Sequence, residues 1–239
     1  RLGFNNDGAE IISNRLSKNT PDGILGINIG PNKDTKNKID DFMICLSKLY
    51  SKGDYITINI SSPNTEGLRD FHGKKSMSNL LESLTNFKKE KKIEKPLLVK
   101  ISPDIKDNDI THIIELIFKF KIDGIILSNT SENNRKELDD FKKNEKGGLS
   151  GMPIQNISTQ LIKKFYKEIK RKIPIIGVGG VDNGKSAFEK ITAGATAIQL
   201  YTGMVYKGPG IVKEIKKELI EILKKEGIEK INEAIGSNS

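Results

Sequence analysis

The sequence predicts an α/β fold: a (β/α)8 barrel of which about six strand–helix units lie within its 239 residues. Three observations predict it. Short apolar stretches of strand type alternate strictly with longer stretches of helical period. The strand stretches are rich in Ile, Val and Leu, as a parallel sheet covered on both faces requires. Each stretch then ends in polar or glycine residues, on the side where α/β barrels bind their ligands.

In chain order, residues 5–16 read as a helix. Asn5 or Asn6 is placed to cap it, Asp7 sits in its first turn, and Ala9, Ile11, Ile12 and Leu16 form its apolar stripe. Residues 24–29 read as a strand ending in Gly30-Pro31-Asn32-Lys33, and 39–50 as a helix. The central stretch is 55–69, YITINISSPNTEGLR, where Ile56, Ile58 and Ile60 alternate with Thr57 and Asn59. Its break at Ser61-Ser62-Pro63-Asn64 leaves Asn59, Ser62 and Asn64 at the strand's carboxyl end. A helix at 78–91 precedes a strand at 97–101, closed by Ser102-Pro103-Asp104. A helix at 109–120 precedes a buried strand at 124–127, ending in Ser128-Asn129-Thr130. The polar loop 131–150 is longer than most connections, the length of a functional lid or of a disordered segment. A helix within 153–172, a strand at 173–178 ending in Gly179-Gly180, a helix at 186–193 and a strand at 197–201 follow. The last helix covers about 210–226, with Gly227 as its stop. The six strands leave two of a barrel's eight to precede Arg1, and RLGFNNDG reads as the interior of a longer chain.

Lys plus Arg number 40 and Asp plus Glu 31, a net charge of 40 − 31 = +9. The lysines cluster at 88–92 and 213–217, interleaved with glutamate and without the aromatic residues of a base-stacking platform. They read as solvated helix faces, so no nucleic-acid partner is expected. Cys45 is the one cysteine, which leaves no disulfide framework and no Cys-based metal site and fits a reducing compartment. Two histidines, His72 and His112, assemble neither metal-ligand spacing nor a nucleophile–His–acid arrangement; His112 falls in a helical pattern and is expected to be exposed. No apolar run approaches the length of a membrane span, and no signal peptide opens the sequence.

Three groups of residues carry chemistry. Gly177-Val178-Gly179-Gly180 and Tyr201-Thr202-Gly203 fall on the ends of the last two strands, where barrel loops bind phosphate through backbone N–H groups. A tight strand-to-helix turn is the plain alternative. Lys100 lies inside a strand between Val99 and Ile101, where a cation needs an anionic partner. It serves as a salt-bridge member or as the counter-charge of a ring that gains negative charge on reduction, such as a flavin. Asn59, Asn64, Asn129 and Thr130 supply donors and acceptors suited to a planar ring of alternating C=O and N–H, although each residue type also serves in turns.

The segments NISSPNTEGLR (59–69), VKISPD (99–104), DGIILSNT (123–130), GGLSGMP (147–153), IPIIGVGGV (173–181) and QLYTGMVYKGP (199–209) resemble the dihydroorotate dehydrogenase family. So do RLGFNNDG (1–8) and LGINIGPNKDT (25–35), and the matches run in order along nearly the whole chain. The resemblance implies a single FMN-binding (β/α)8 domain over 1–239 that oxidises dihydroorotate to orotate in pyrimidine (UMP) biosynthesis. Of the family's two classes, the soluble one carries Cys in the active-site loop and the membrane-associated one Ser. Ser62 and the NNDG, GPNKDT and NTEGLR segments resemble the second, which passes electrons to quinone. Carried over by residue, Ser62 takes the C5 proton while hydride leaves C6 for flavin N5. Asn59, Asn64, Asn129 and Thr130 hold substrate. Asn28, Asn59, Lys100, Ser128, Ser150, Gly151, Gly179, Gly180, Tyr201 and Thr202 hold FMN, and no metal is implied.

The same resemblance implies a location at the periphery of the inner membrane, bacterial rather than mitochondrial, through an N-terminal helical region outside this sequence. It also implies that the first two strands lie upstream, so that this stretch by itself does not form the complete enzyme. His72 stands where the family carries Gln. Two other readings compete with the flavin oxidoreductase: a phosphate-binding barrel isomerase or lyase, and a non-catalytic truncated barrel acting as a binding module.

Overall fold

The structure is a computed structural model and describes residues 5–133, 135–136, 138–139 and 141–239. The described residues form two compact units, one of 5–100 with 106–124 and the other of 101–105 with those described from 125 to 239. Six strands follow one another in sequence order, β1 to β6, and helices alternate with them.

The first unit contains α1 (Ala9–Lys18), β1 (Gly26–Ile29), α2 (Lys38–Leu49), β2 (Tyr55–Asn59), α3 (Lys74–Glu90), all but the last residue of β3 (Leu97–Ile101), and α4 (Asp107–Lys119). β1 and β2 pair in parallel with Gly26 opposite Tyr55, and β2 and β3 with Ile56 opposite Leu97. From Ile56 to Asn59 every residue of β2 is buried, so both faces of the strand are covered even though Thr57 and Asn59 alternate with its isoleucines. Phe42, Leu46, Ile56, Ile58, Leu80, Leu81 and Leu84 are fully buried, each contributing about 1.5–3 kcal/mol by removal from water. Phe42 meets Phe71 edge-to-face at 5.9 Å, the geometry that ring quadrupoles favour. Aspartates fix the amino ends of the strands. Asp54 accepts from the Leu25 amide at 2.7 Å, and Asp123 from the Leu97 amide at 2.8 Å and from Lys88 at 2.7 Å.

The second unit contains most of β4 (Gly124–Leu127), α5 (Gln155–Ile169), β5 (Ile175–Val178), α6 (Gly184–Thr192), β6 (Ala197–Gln199), α7 (Thr202–Lys207), α8 (Ile211–Lys225) and α9 (Ile231–Ala234). β4, β5 and β6 pair in parallel, with Leu127 opposite Gly177 and Gly177 opposite Ile198. Val181, Ala187, Ile211 and Ile215 form one apolar cluster, on which Leu200 and Leu219 rest. The N-terminus of α6 carries a reciprocal cap. The Asn183 side chain accepts from the Ser186 amide at 2.8 Å, and Ser186 Oγ accepts from the Asn183 amide at 3.2 Å. The lysines of α8 are exposed, as a solvated helix face requires.

Several boundaries differ from the sequence expectation for identifiable reasons. α1 begins at Ala9 rather than residue 5: the Gly8 amide turns back onto Asn6 Oδ1 at 2.8 Å, and Asp7 pairs with Arg15 at 2.7 Å instead of entering the first turn. α3 begins at Lys74, four residues before the predicted start, because its first turn is charged and only Met77 opens the apolar stripe. α7 and α9 are absent from the sequence reading, α7 because it buries no side chain and α9 because it is only four residues long. His112 is partly buried rather than exposed, with Nε2 2.7 Å from the His72 carbonyl oxygen.

Candidate active site at the strand ends

In the first unit the sequence Asn59-Ile60-Ser61-Ser62-Pro63-Asn64 leaves β2 as a fully hydrogen-bonded turn. Asn59 Oδ1 accepts from both the amide and the hydroxyl of Ser61, each at 3.2 Å. Such local bonds are what Asn and Ser offer a chain leaving a strand. Arg69 Nε donates to the Ser61 carbonyl at 3.3 Å and ties the following loop to the turn. Ser62 is buried at 5 % exposure, and its Oγ accepts from the Asn64 amide at 3.3 Å. Among the described residues that is the one hydrogen bond of Ser62, so no imidazole or carboxylate touches its hydroxyl.

Asn59 stands opposite Lys100 in the β2–β3 register. Burial pulls the Lys100 ammonium below the ordinary lysine range, and it has no ion-pair or hydrogen-bond partner among the described residues. The salt-bridge alternative for Lys100 is thereby removed among these residues. A cation left uncompensated in a strand is a group awaiting an anion. Asn28 on β1, in register with Thr57 of β2, is exposed.

In the second unit, Ser128-Asn129-Thr130 continues β4 with its backbone held on both sides. The Ser128 amide donates to the Val178 carbonyl at 3.0 Å and the Asn129 amide to the Ile101 carbonyl at 2.9 Å. The Leu127–Ser128 peptide bond is cis. Asn129 Oδ1 accepts from the Thr130 amide at 2.7 Å. The long loop that follows is closed at its base by a two-way backbone bridge between Ser131 and Leu149, at 3.0 and 2.7 Å. Asp104 takes Ser131 Oγ at 2.5 Å and the Glu132 amide at 2.8 Å, while Arg135 donates to the carbonyls of Glu132, Lys143 and Gly147. Asp104 and Arg135 organise the loop, and the sequence reading named neither for this role. Asp104 lies outside the loop and both residues bond to its backbone groups, for which the pattern carries no signal.

The loop delivers Ser150 and Gly151 to the start of α7, where Thr202 Oγ1 donates to Ser150 Oγ at 2.9 Å. A Cβ on Gly151 would lie 2.9 Å from the Thr202 side chain. Gly179 and Gly180 lie against the first turn of α5. Gly180 has φ +75°, and a Cβ there would fall 2.5 Å from Gln155 Cβ and 2.7 Å from Gln155 Cα. A glycine turn on the amino end of a helix, with amides unobstructed by side chains, is a cradle suited to a phosphate. Tyr201, at the N-terminus of α7, is 76 % exposed. The structure thus joins Asn59, Ser62 and Asn64 in one turn with Lys100 beside it. It joins Ser150, Gly151 and Thr202 in a second group and Ser128 to Thr130 in a third.

Parallel βα units in sequence order, with polar and glycine residues at the strands' carboxyl ends, are the units of a (β/α)8-barrel protein. The described residues hold six of the eight. The profile of the family described as dihydroorotate dehydrogenase matches residues 1–223, and the chain belongs to that family. It is 41 % identical over 237 residues to dihydroorotate dehydrogenase (quinone) of Bartonella tribocorum, covering 98 % of this chain and 66 % of the relative. Against the protein of the same name from Vibrio cholerae the identity is 46 % over 226 residues, covering 92 % and 67 %. The crystal structure of the Eimeria tenella enzyme in complex with ferulenol superposes with a TM-score of 0.94 at 32 % identity, covering all of this chain and 70 % of that one. The chain therefore spans about two thirds of the length of the curated relatives it matches.

Proposed function

We propose that the protein to which this chain belongs oxidises dihydroorotate to orotate with a flavin, FMN, and passes the electrons to quinone. The observation that carries the reading is Lys100, a half-buried cation without a counter-charge among the described residues, set beside Asn59 in a chain of this family. Bound flavin supplies the hydride acceptor and the electron store between the two substrates.

The chain's own residues then have separable tasks. Lys100 offsets negative charge on the flavin ring, and Asn59 is held by Ser61 in one orientation toward that ring and toward the substrate. Asn64, Asn129 and Thr130 bind the substrate's amide edges, each amide matching one C=O or N–H. Gly179, Gly180, Gly151, Ser150, Tyr201 and Thr202 take the phosphate, and Asn28 and Ser128 complete the flavin contacts. Ser62 accepts the C5 proton. Its hydroxyl is a weak base and no titratable side chain touches it among the described residues, so the proton leaves through water. The loop 131–150, fastened by Asp104, excludes bulk water from the reacting atoms.

The resemblance at Ser62 and the names of the relatives support quinone as acceptor, and on this reading the protein works at the periphery of a bacterial inner membrane. Among the described residues no helix is long and apolar enough to cross a membrane. The test is the full-length protein, purified and examined for flavin absorbance. Dihydroorotate should bleach the flavin without oxygen, and a soluble quinone should restore it. Colourless protein that binds phosphate esters would instead favour a barrel isomerase or lyase.

A further inference from the structure

Among the described residues, Lys190 on α6 is the one lysine, arginine or carboxylate with no exposed surface at all. Its Nζ donates to Ser158 Oγ at 3.1 Å, Thr159 Oγ1 at 3.1 Å and the Gln155 carbonyl at 3.4 Å. Both hydroxyls have already committed their protons, Ser158 to the Val178 carbonyl at 2.6 Å and Thr159 to the Gln155 carbonyl at 2.9 Å. They therefore face Lys190 with lone pairs only. Three acceptors match the three protons of an ammonium, whereas a neutral amine would leave one acceptor opposed by its own lone pair. The hydrogen bonds select the charged form, yet no carboxylate stands within ion-pair distance of it among the described residues. A buried cation so placed lacks an anion.

The same side chains touch the glycine turn. A Cβ on Gly179 would meet Ser158 Cβ at 3.0 Å, and a Cβ on Gly180 would meet Gln155, so the turn lies directly on the helical turn that Lys190 holds. On α5 the groups facing Lys190 are the neutral Gln155, Ser158 and Thr159, and on β5 the neighbour is Gly177. Glu189, adjacent in α6, is engaged by the Gln155 amide at 2.7 Å, and Glu218 of α8 by the Gly184 amide.

We propose that Lys190 is a positioning residue for the phosphate of the bound flavin nucleotide. It clamps the first turn of α5 beneath Gly179-Gly180 and supplies the charge that a phosphate dianion there meets through one layer of side chain. The proposal rests on the reading of the Gly179-Gly180 turn as the phosphate site. Burial lowers the Lys190 pKa to about 7, with Glu189 opposing the shift, so an arriving dianion should raise it and draw in a proton. Affinity for the phosphate form should then be highest while Lys190 is protonated and fall as pH rises. A one-unit rise on binding corresponds to a loss of about fivefold between pH 7 and pH 9. Over that range the phosphate, with a second pKa of about 6, stays a dianion.

The experiment titrates flavin-free full-length protein with FMN and with riboflavin, which lacks the phosphate. The FMN-to-riboflavin affinity ratio of the wild type should drop about fivefold from pH 7 to pH 9. Lys190→Met should weaken FMN about fivefold at pH 7, leave riboflavin within twofold, and give a ratio flat with pH. Riboflavin also cancels any titration of Lys100 that acts through the ring. Equal weakening of both flavins in Lys190→Met would overturn the proposal by making the residue merely structural. If that variant does not fold, the wild-type profile decides alone: a ratio favouring FMN but independent of pH removes the proposal and leaves the phosphate site. Equal affinity for both flavins at every pH removes the phosphate site and the proposal together.

Discussion

Asn59, the last residue of β2, stands opposite Lys100, the penultimate residue of β3, in the parallel register of the two strands. An amide fixed by its own turn is thus set beside a cation that burial has made costly to keep charged. The cost has a sign that can be tested. The folded-state pKa of Lys100 lies below its unfolded value of about 10.5, so the unfolded chain holds the proton more tightly. Below the folded pKa the full penalty applies, and stability returns as pH rises toward the unfolded value.

Lys100→Met should therefore leave the flavin-free protein at least as stable as wild type at pH 7, while flavin affinity falls roughly ten- to hundredfold, the worth of a charged hydrogen bond. Thermal melts of apo protein and flavin titrations measure the two halves. A lower apo melting temperature with unchanged flavin affinity would make Lys100 a structural residue.

Ser62 presents a different case, a buried hydroxyl whose one hydrogen bond among the described residues is accepted from the Asn64 amide. Ser62→Ala removes the proton acceptor and little else. The rate of flavin reduction by dihydroorotate should drop by about 10²–10⁴-fold, with flavin content unchanged. The wild-type rate should climb with pH. Anaerobic stopped-flow mixing reads both, and an unaltered rate in the variant would remove Ser62 from the chemistry.

The strands and most helices were legible from pattern: β3 and β4 are apolar nearly throughout, and β2 alternates isoleucine with Thr57 and Asn59. The turn after β2 was legible because Asn, Ser and Pro at those offsets have few other uses. Lys190 was not legible. In AFEKITAG it resembles any surface lysine, and only its helical spacing from the buried Ala187, together with the adjacent Ile191, places it on the covered face. His112 misled for the same reason, since a partner 40 residues away in sequence leaves no local trace. Asp104 and Arg135 fasten a loop through its backbone, which sequence pattern does not encode.

The loop itself yields a prediction. Asp104 accepts from Ser131 Oγ and from the Glu132 amide, at the point where the loop leaves the sheet. Asp104→Ala leaves both donors without that partner, at a cost of about 1–3 kcal/mol local to the loop base. Hydrogen exchange at the Glu132 and Leu149 amides should accelerate about tenfold, and proteolytic nicking within 131–150 should appear. Exchange in β2 should be unaffected. Acceleration spread across the whole second unit would show that Asp104 supports the fold rather than the loop.

Gly180 carries two separate demands, and a second glycine allows them to be told apart. At φ +75° any residue with a Cβ pays for the left-handed conformation, about 1–2 kcal/mol. The same is true of Gly227 at φ +68°, just beyond α8, where an added Cβ would meet nothing within 4 Å. Gly227→Ala thus measures the conformational cost alone, expected as a fall in melting temperature of about 2–6 °C for a domain of this size. Gly180→Ala adds a Cβ 2.5 Å from Gln155 Cβ and 2.7 Å from its Cα, and helix backbone cannot yield as a flexible side chain can. The turn must lift away from α5, taking its amides off the position a phosphate would occupy. Gly180→Ala should melt several degrees below Gly227→Ala and bind FMN no better than riboflavin, while Gly227→Ala keeps the wild-type preference. Equal melting temperatures with FMN preference intact in both would mean that the close approach to α5 does not govern the phosphate site.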